Sequence, residues 1–243
     1  PLSSRPLFRS PPFLMAPVID KRAELDTAVA GFSASLAQVV SITPSGTPGA
    51  PEYRYRVGFV VFAPAGRGEV FVCVSKKLLV STKLKKKASF GVRFYNHGHK
   101  GPATFHSNHL DYLILKVSVQ EHVPAVAFGD VVRNSELILI CKDKADEWNT
   151  YSTTVIIPQN DACAFGGGRP PSVALSEDFF TMGFPVLPAL GFDKIDGAPV
   201  FDMHGLFVGL VHSFATVSRD NTLNDVVFVR RAVRFGVPEC MRV

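Results

Sequence analysis

The sequence has little cysteine and no long apolar run, and each scarcity excludes a class of protein. Its four cysteines, Cys73, Cys141, Cys163 and Cys240, form no Cys-x-x-Cys pair in 243 residues. This density argues against a disulfide framework and favours a reducing compartment, the cytoplasm or the nucleus. No apolar run reaches ~18 residues, so we expect no transmembrane helix and no membrane partner. Charged residues make up only 19% of the chain and hydrophobic residues 47%, which excludes wholesale disorder.

The first residues differ in composition from the rest. Residues 1–17 contain two arginines, several serines and prolines, and no acidic residue precedes Asp20. This composition is typical of a flexible leader or of part of a transit segment, which would direct the chain to an organelle. We therefore predict a leader over residues 1–19 and a single folded domain over residues 20–243.

Short apolar stretches dominate the remainder. Apolar residues at helical spacing predict a helix over residues 21–38, and a short final helix is predicted over 230–235. The predicted strands are 53–63, 69–75, 78–82, 90–95, 103–107, 112–118, 136–141, 151–157, 179–182, 199–202, 206–213 and 226–229. A dozen short strands without intervening helices predict an all-β fold, either a sandwich or a pair of barrels.

The positive charge of the chain is local. Six lysines and no acidic residue lie between Lys76 and Lys87, and without them the chain has 20 basic and 21 acidic residues. Such a run can bind the phosphates of nucleic acid or serve as a nuclear import signal. The simpler interpretation, which we favour, is a solvated loop after a strand.

The most informative stretch is residues 194–213, KIDGAPVFDMHGLFVGLVHS. It resembles the nucleophile loop and following hairpin of trypsin-like serine proteases, most closely those of the HtrA/DegP branch. In the same order, residues 32–42, 78–84 and 109–117 are similar to this family's N-terminal segment, its Thr-x-x-His strand and its Asp-x-Ala-Leu-Leu-Lys strand. The resemblance spans residues 30–236 and implies two six-stranded β-barrels, with no PDZ domain following.

The same resemblance implies that the catalytic triad is degenerate. Asp111 falls on the carboxylate position, but Lys83 falls on the histidine position and Asp196 on the serine position. Lys194 replaces a glycine of the oxyanion loop. An ammonium with a pKa near ~10.4 is protonated at neutral pH and accepts no proton from a nucleophile. We therefore expect an inactive domain in which Asp111, Lys83 and Asp196 form an ion network. The alternative is an active serine endopeptidase, which requires another register at Lys83 or Asp196.

The resemblance also implies a binding edge. In the family, the strand after the nucleophile hairpin presents its edge to an extended substrate, and here that segment is Val211, His212, Ser213 and Phe214. Strand addition needs only exposed backbone groups, so the predicted partner is a polypeptide segment or a partner protein. An edge covered by the chain's own loops is an equal alternative.

Four histidines, His97, His99, His106 and His109, lie close together in the sequence. Imidazole is a common zinc and copper ligand, but thiols are lacking nearby and Asp111 is the only acid. We interpret these histidines as loop residues and predict no metal. The sequence contains no nucleotide fingerprint, and we predict no cofactor.

Overall fold

The computed structural model describes residues 21–44, 51–79, 88–96, 100–109, 111–142, 148–157, 177–183, 195–219 and 222–232. One helix, α1 (Lys21–Phe32), precedes the strands. The first six strands are β1 (Leu36–Thr43), β2 (Glu52–Phe62), β3 (Glu69–Ser75), β4 (Ser89–Phe94), β5 (Lys100–Asn108) and β6 (Tyr112–Ser118). The second six are β7 (Glu136–Lys142), β8 (Trp148–Ile157), β9 (Phe179–Gly183), β10 (Pro199–Asp202), β11 (Phe207–Arg219) and β12 (Thr222–Arg231).

These strands form two closed antiparallel barrels. Barrel 1 has the strand order β1-β2-β3-β6-β5-β4, and barrel 2 has the order β10-β11-β12-β9-β8-β7. Closure gives every strand a hydrogen-bonded neighbour on both sides, which leaves few exposed sheet edges. The predicted pair of six-stranded barrels is therefore confirmed.

Three hydrophobic clusters hold this architecture together. One fills barrel 1 and includes Val39 and Leu115, and another fills barrel 2 and includes Leu139 and Val229. The third lies between the barrels, and its centre is aromatic: the rings of Phe59 and Phe207 have centroids 4.1 Å apart. Burial of this apolar surface provides most of the driving force for docking the barrels.

Helix α1 packs on this third cluster. Leu25, Val29 and Phe32 recur at spacings of four and three residues, and all three are buried. The Phe32 ring lies 4.5 Å from that of Phe201 in barrel 2, measured between centroids. The Phe32 ring also covers Gly205, where an added Cβ would lie 2.7 Å from Phe32 Cδ1. The φ of Gly205 is +81°, a backbone conformation that favours glycine as well.

The segment between the barrels is hydrogen-bonded to both of them. The Val126 amide donates to the Val60 carbonyl in barrel 1, over 2.9 Å, and the Phe207 amide of barrel 2 donates to the Ala127 carbonyl, over 2.8 Å. Asp130 also forms an ion pair with Arg231 at the end of β12. The connection thus fixes the two barrels relative to each other.

Three predicted elements need correction. The predicted helix over 21–38 ends at Phe32, because residues 36–43 pair with both β2 and β4 as strand β1. The predicted strand over 78–82 is wrong at Leu78, which ends a 3₁₀ helix (Lys76–Leu78), while residues 80–82 lie outside the described residues. The predicted final helix is wrong at its start, since Arg230 and Arg231 belong to β12; residues 233–235 are not described.

Among the described residues, no helix has the length and apolar character needed to cross a membrane.

Candidate functional site

Asp111 lies in the connection between β5 and β6, at the border between the barrels. Its carbonyl accepts a hydrogen bond of 2.8 Å from the Lys76 amide, which fixes the connection against the 3₁₀ helix. Its carboxylate forms an ion pair with the Arg230 guanidinium of β12. The side chains of Asp111 and Arg230 are only 28% and 15% exposed, so this ion pair is largely shielded from water.

Arg230 also contacts two groups at the beginning of β9. Its Nη1 lies 3.7 Å from Asp178 Oδ2, and its guanidinium carbon lies 4.6 Å from the centroid of the Phe179 ring. Stacking on an aromatic ring favours a guanidinium over an ammonium, because the planar group covers the ring face.

Asp196 lies opposite this pair, in the turn before β10. It is flanked by the fully buried Ile195 and by Gly197, whose φ is +78°. A Cβ on Gly197 would lie 2.3 Å from Ser75 Oγ, so the turn approaches barrel 1 too closely for any other residue. The Asp196 carboxylate pairs with Lys77 Nζ of barrel 1 at 3.2 Å.

Two ion pairs therefore join the barrels across the cleft: Asp111 of barrel 1 with Arg230 of barrel 2, and Lys77 of barrel 1 with Asp196 of barrel 2. Sequence reasoning identified both carboxylates but neither cation. Lys83 and Lys194, at the histidine and oxyanion-loop positions of the resemblance, lie outside the described residues. The predicted network through Lys83 therefore stays a prediction, and each carboxylate has another cation beside it.

His212 occupies a β-bulge in β11. Val211 is opposite Val229 of β12 and Ser213 is opposite Phe228, which leaves His212 without an opposing residue on β12. A bulge redirects a side chain, and such irregularities are frequent beside functional sites. Here His212 Nδ1 lies 3.1 Å from Ser213 Oγ.

The surroundings of the His212 ring favour its neutral form. The ring meets the edge of Phe179 at 4.9 Å between centroids. The pKa of His212 is lowered from its usual value, and burial of the ring is the main cause. The charges of Arg230 and Lys77 add to this shift, whereas those of Asp111 and Asp196 oppose it. The imidazole thus lies among both ion pairs of the cleft.

We expect His212 to make the folded state less stable in acid. As the pH falls below about 6.5, the unfolded chain binds a proton at this imidazole that the folded chain does not bind, until the lowered pKa is reached. The free energy of unfolding should therefore decrease as the pH falls below about 7, and His212→Gln should reduce the slope. Urea denaturation at several pH values measures this. A slope in His212→Gln equal to that of wild type would contradict the assignment.

The predicted binding segment Val211–Phe214 lies at the end of the pairing between β10 and β11. The Gly197 amide donates to the Val211 carbonyl over 3.0 Å, and the Val211 amide donates to the Ala198 carbonyl over 2.9 Å. Beyond this point, β12 is the only described strand that pairs with β11. Phe214 is 48% exposed beside this edge.

The predicted histidine group is only partly described. The His109 ring stacks on the Tyr112 ring with a distance of 4.5 Å between centroids. Its Nε2 lies 3.2 Å from the Ser107 hydroxyl oxygen. Burial lowers the pKa of His109, and the charge of Lys76 lowers it further. His106 packs against the Phe71 ring at 4.9 Å, whereas His97 and His99 lie outside the described residues. The described part of the chain holds no group of three or more side chains arranged to bind a metal ion.

No protein-family model matches the chain, and no curated protein matches its sequence. Solved structures do match its fold. The active form of the Rv3671c protease from M. tuberculosis aligns with a TM-score of 0.56 and 16% identity, over 96% of this chain and 90% of the protease chain. An inactive form of that protease aligns with a TM-score of 0.53 and 17% identity, over 87% and 90%. The HtrA-type protease AlgW with a tripeptide aligns with a TM-score of 0.55 and 13% identity, over 86% of this chain and 60% of AlgW.

At these identities the likeness establishes the fold. The chain has the trypsin-like fold of HtrA-type serine proteases, as the motifs in its sequence predicted.

Proposed function

We propose that this chain, with its trypsin-like, HtrA-like fold, is a pseudoprotease that does not cleave peptide bonds and binds an extended polypeptide segment along β11. The observation that carries the proposal is Asp196. It stands where the resemblance calls for the nucleophilic serine, and its carboxylate is ion-paired with Lys77 at 3.2 Å.

This arrangement opposes acyl transfer at each step. Attack by the Asp196 carboxylate on an amide would give a mixed anhydride, and the amine is a far poorer leaving group than the carboxylate. Asp111 would have to orient an imidazole base in an active triad, but its carboxylate is paired with Arg230. In sequence, the position of that base is Lys83, whose ammonium accepts no proton at neutral pH.

The binding role is supported by the edge of β11. Among the described residues, the pairing of β11 with β10 stops at Leu210, whereas its pairing with β12 continues to Arg219. A polypeptide in extended conformation can add to such an edge through main-chain hydrogen bonds. Phe214 would provide an apolar contact for one of its side chains.

Proteolytic activity is tested by incubation with casein and labelling with a fluorophosphonate probe, with an active trypsin-like protease in parallel. We expect neither digestion nor labelling. We expect the same of Asp196→Ser, because the base position of the resemblance is Lys83, whose ammonium does not accept the serine proton at neutral pH. Digestion together with a labelled serine would show an active endopeptidase, and mapping that serine would identify the nucleophile.

Binding is tested by replacing Phe214 with the photoreactive residue p-benzoylphenylalanine and exposing the protein to a library of extended dodecapeptides. The same replacement at Phe105 is the matched control, because both phenylalanines are 48% exposed. We expect crosslinking from position 214 that is lost when the peptide backbone is N-methylated. Equal crosslinking from both positions would contradict a binding site at β11.

A further inference from the structure

The outer face of barrel 1 carries exposed tyrosines that the cleft does not use. Tyr53 and Tyr55 lie two residues apart on β2 and therefore project from the same side of the strand. Their side chains are 52% and 43% exposed. Val57 and Phe59 project from the same side of β2 and belong to the cluster between the barrels. This side of β2 is therefore the outside of barrel 1.

Residues directly opposite one another in neighbouring strands project from the same face of the sheet. The outer face can therefore be followed from β2 to β1, β4 and β5. One row of opposing residues is Tyr55, Val40, Gly91 and Pro102. The adjoining row on one side is Tyr53, Ile42 and Ser89, and on the other it is Val57, Gln38, Arg93 and Lys100. We call these three rows the tyrosine face.

The tyrosine face is flat in the row of Tyr55. Gly91 has no side chain, and an added Cβ there would lie 3.0 Å from Val40 Cγ1. Val40 is half-buried, so the two middle residues of this row, Val40 and Gly91, form a shallow apolar surface. Tyr55 lies at one end of the row. A planar ligand stacked on Tyr55 therefore meets only Val40, Gly91 and Pro102 along the same row.

The charge of the tyrosine face is positive. Its three rows contain the exposed Arg93 and Lys100 and no acidic residue. In the sequence, the basic run of residues 76–87 ends two residues before β4 begins at Ser89. This positive charge favours an anionic ligand over a cationic one.

We propose that the tyrosine face binds single-stranded nucleic acid, with Tyr53 and Tyr55 stacking on bases and Arg93 and Lys100 contacting phosphates. The rise of a β-strand places the Cα atoms of the two tyrosines about 6.8 Å apart, so each ring has space for its own base. Aromatic side chains on an open sheet, flanked by cations, bind unpaired bases by stacking and the backbone by charge. A duplex offers no free base faces to such a surface.

The test is fluorescence anisotropy with fluorescein-labelled dT15 and rU15 at several salt concentrations. Tyr53→Ala and Tyr55→Ala should each raise the Kd by a factor between about 5 and 150, whereas Tyr55→Phe should retain affinity because its ring still stacks. Arg93→Gln should weaken binding and reduce the slope of log K against log salt by about 0.7. The dT15 and rU15 arms distinguish DNA from RNA as the preferred strand.

Phe105→Ser is the matched control. Phe105 is an exposed aromatic residue of β5, but it shares the side of that strand with the buried Ala103 rather than with Pro102, so its replacement should leave the Kd unchanged. The proposal is overturned if wild type does not bind at about 50 mM salt, or if the tyrosine variants bind as wild type does. Equal binding of a duplex of the same length would overturn it too, and would assign the affinity to phosphate contacts alone. None of these results depends on proteolysis or on the edge of β11.

Discussion

Replacing Arg230 with alanine is expected to lower the free energy of unfolding by up to about 3–5 kcal/mol, the cost of removing one partner from a fully buried ion pair. Arg230 is 15% exposed and pairs with Asp111 across the border between the barrels. Its removal would leave the Asp111 carboxylate in the cleft without its cation and would also end the stacking on Phe179. Urea denaturation followed by the fluorescence of the single tryptophan measures the change.

Two further variants separate charge from packing at this position. Arg230→Lys keeps the charge but loses the planar stacking, so it should be intermediate. Combining Arg230→Met with Asp111→Asn removes both charges and should recover much of the loss, because no unpaired ion then remains in the cleft. If Arg230→Ala were as stable as wild type, the two barrels would not depend on this ion pair.

Replacing Phe207 with alanine is expected to cost about 3–5 kcal/mol of unfolding free energy through lost burial and the cavity left behind. The Phe207 side chain is fully buried, with its ring centroid 4.1 Å from that of Phe59 in the other barrel. The same ring lies 5.7 Å from that of Phe128 in the segment connecting the barrels. The substitution therefore removes the contacts of barrel 2 with barrel 1 and with the connecting segment at once, and urea denaturation should detect it as a lower midpoint.

A phenylalanine in a different environment provides the control. Phe105→Ala changes the same residue type at a site that is 48% exposed, so it should cost less than about 1 kcal/mol. Phe207→Leu should lie between the two alanine variants, because it preserves most of the buried volume. Equal losses at positions 207 and 105 would show that the cluster between the barrels contributes little.

The barrels could be predicted from the sequence because their strands are locally distinct. Runs such as 69–75 and 112–118 are apolar and β-branched, and the structure places strands there with the predicted bounds. The boundary after α1 was predicted wrongly because Leu36 and Val39 continue the helical spacing of Phe32, whereas a strand places them on opposite sides. Pairing of residues 36–43 with two other strands decides between the two, and such long-range pairing has no local signal.

Some residues of the candidate site could be predicted from the sequence and others could not. Asp111 and Asp196 were found because they sit within motifs that resemble those of a known family. Arg230 and Lys77 belong to no such motif, and each reaches its carboxylate only after the barrels have docked. Arg230 was predicted to begin the final helix and Lys77 lies in a lysine run predicted as a solvated loop, so neither local sequence indicates a partner in the other barrel. The bulge that turns His212 toward them is likewise set by pairing with β12.

The docking of α1 also bears on the order of events during synthesis. Phe32 leaves the ribosome early, but its partner ring on Phe201 is translated about 170 residues later. At ~5–20 residues per second this is a delay of roughly 8–35 s, during which Leu25, Val29 and Phe32 have no completed surface to cover. We therefore expect the docking of α1 onto barrel 2 to be a late step of folding, with the apolar side of α1 open to a chaperone until Phe201 has been translated.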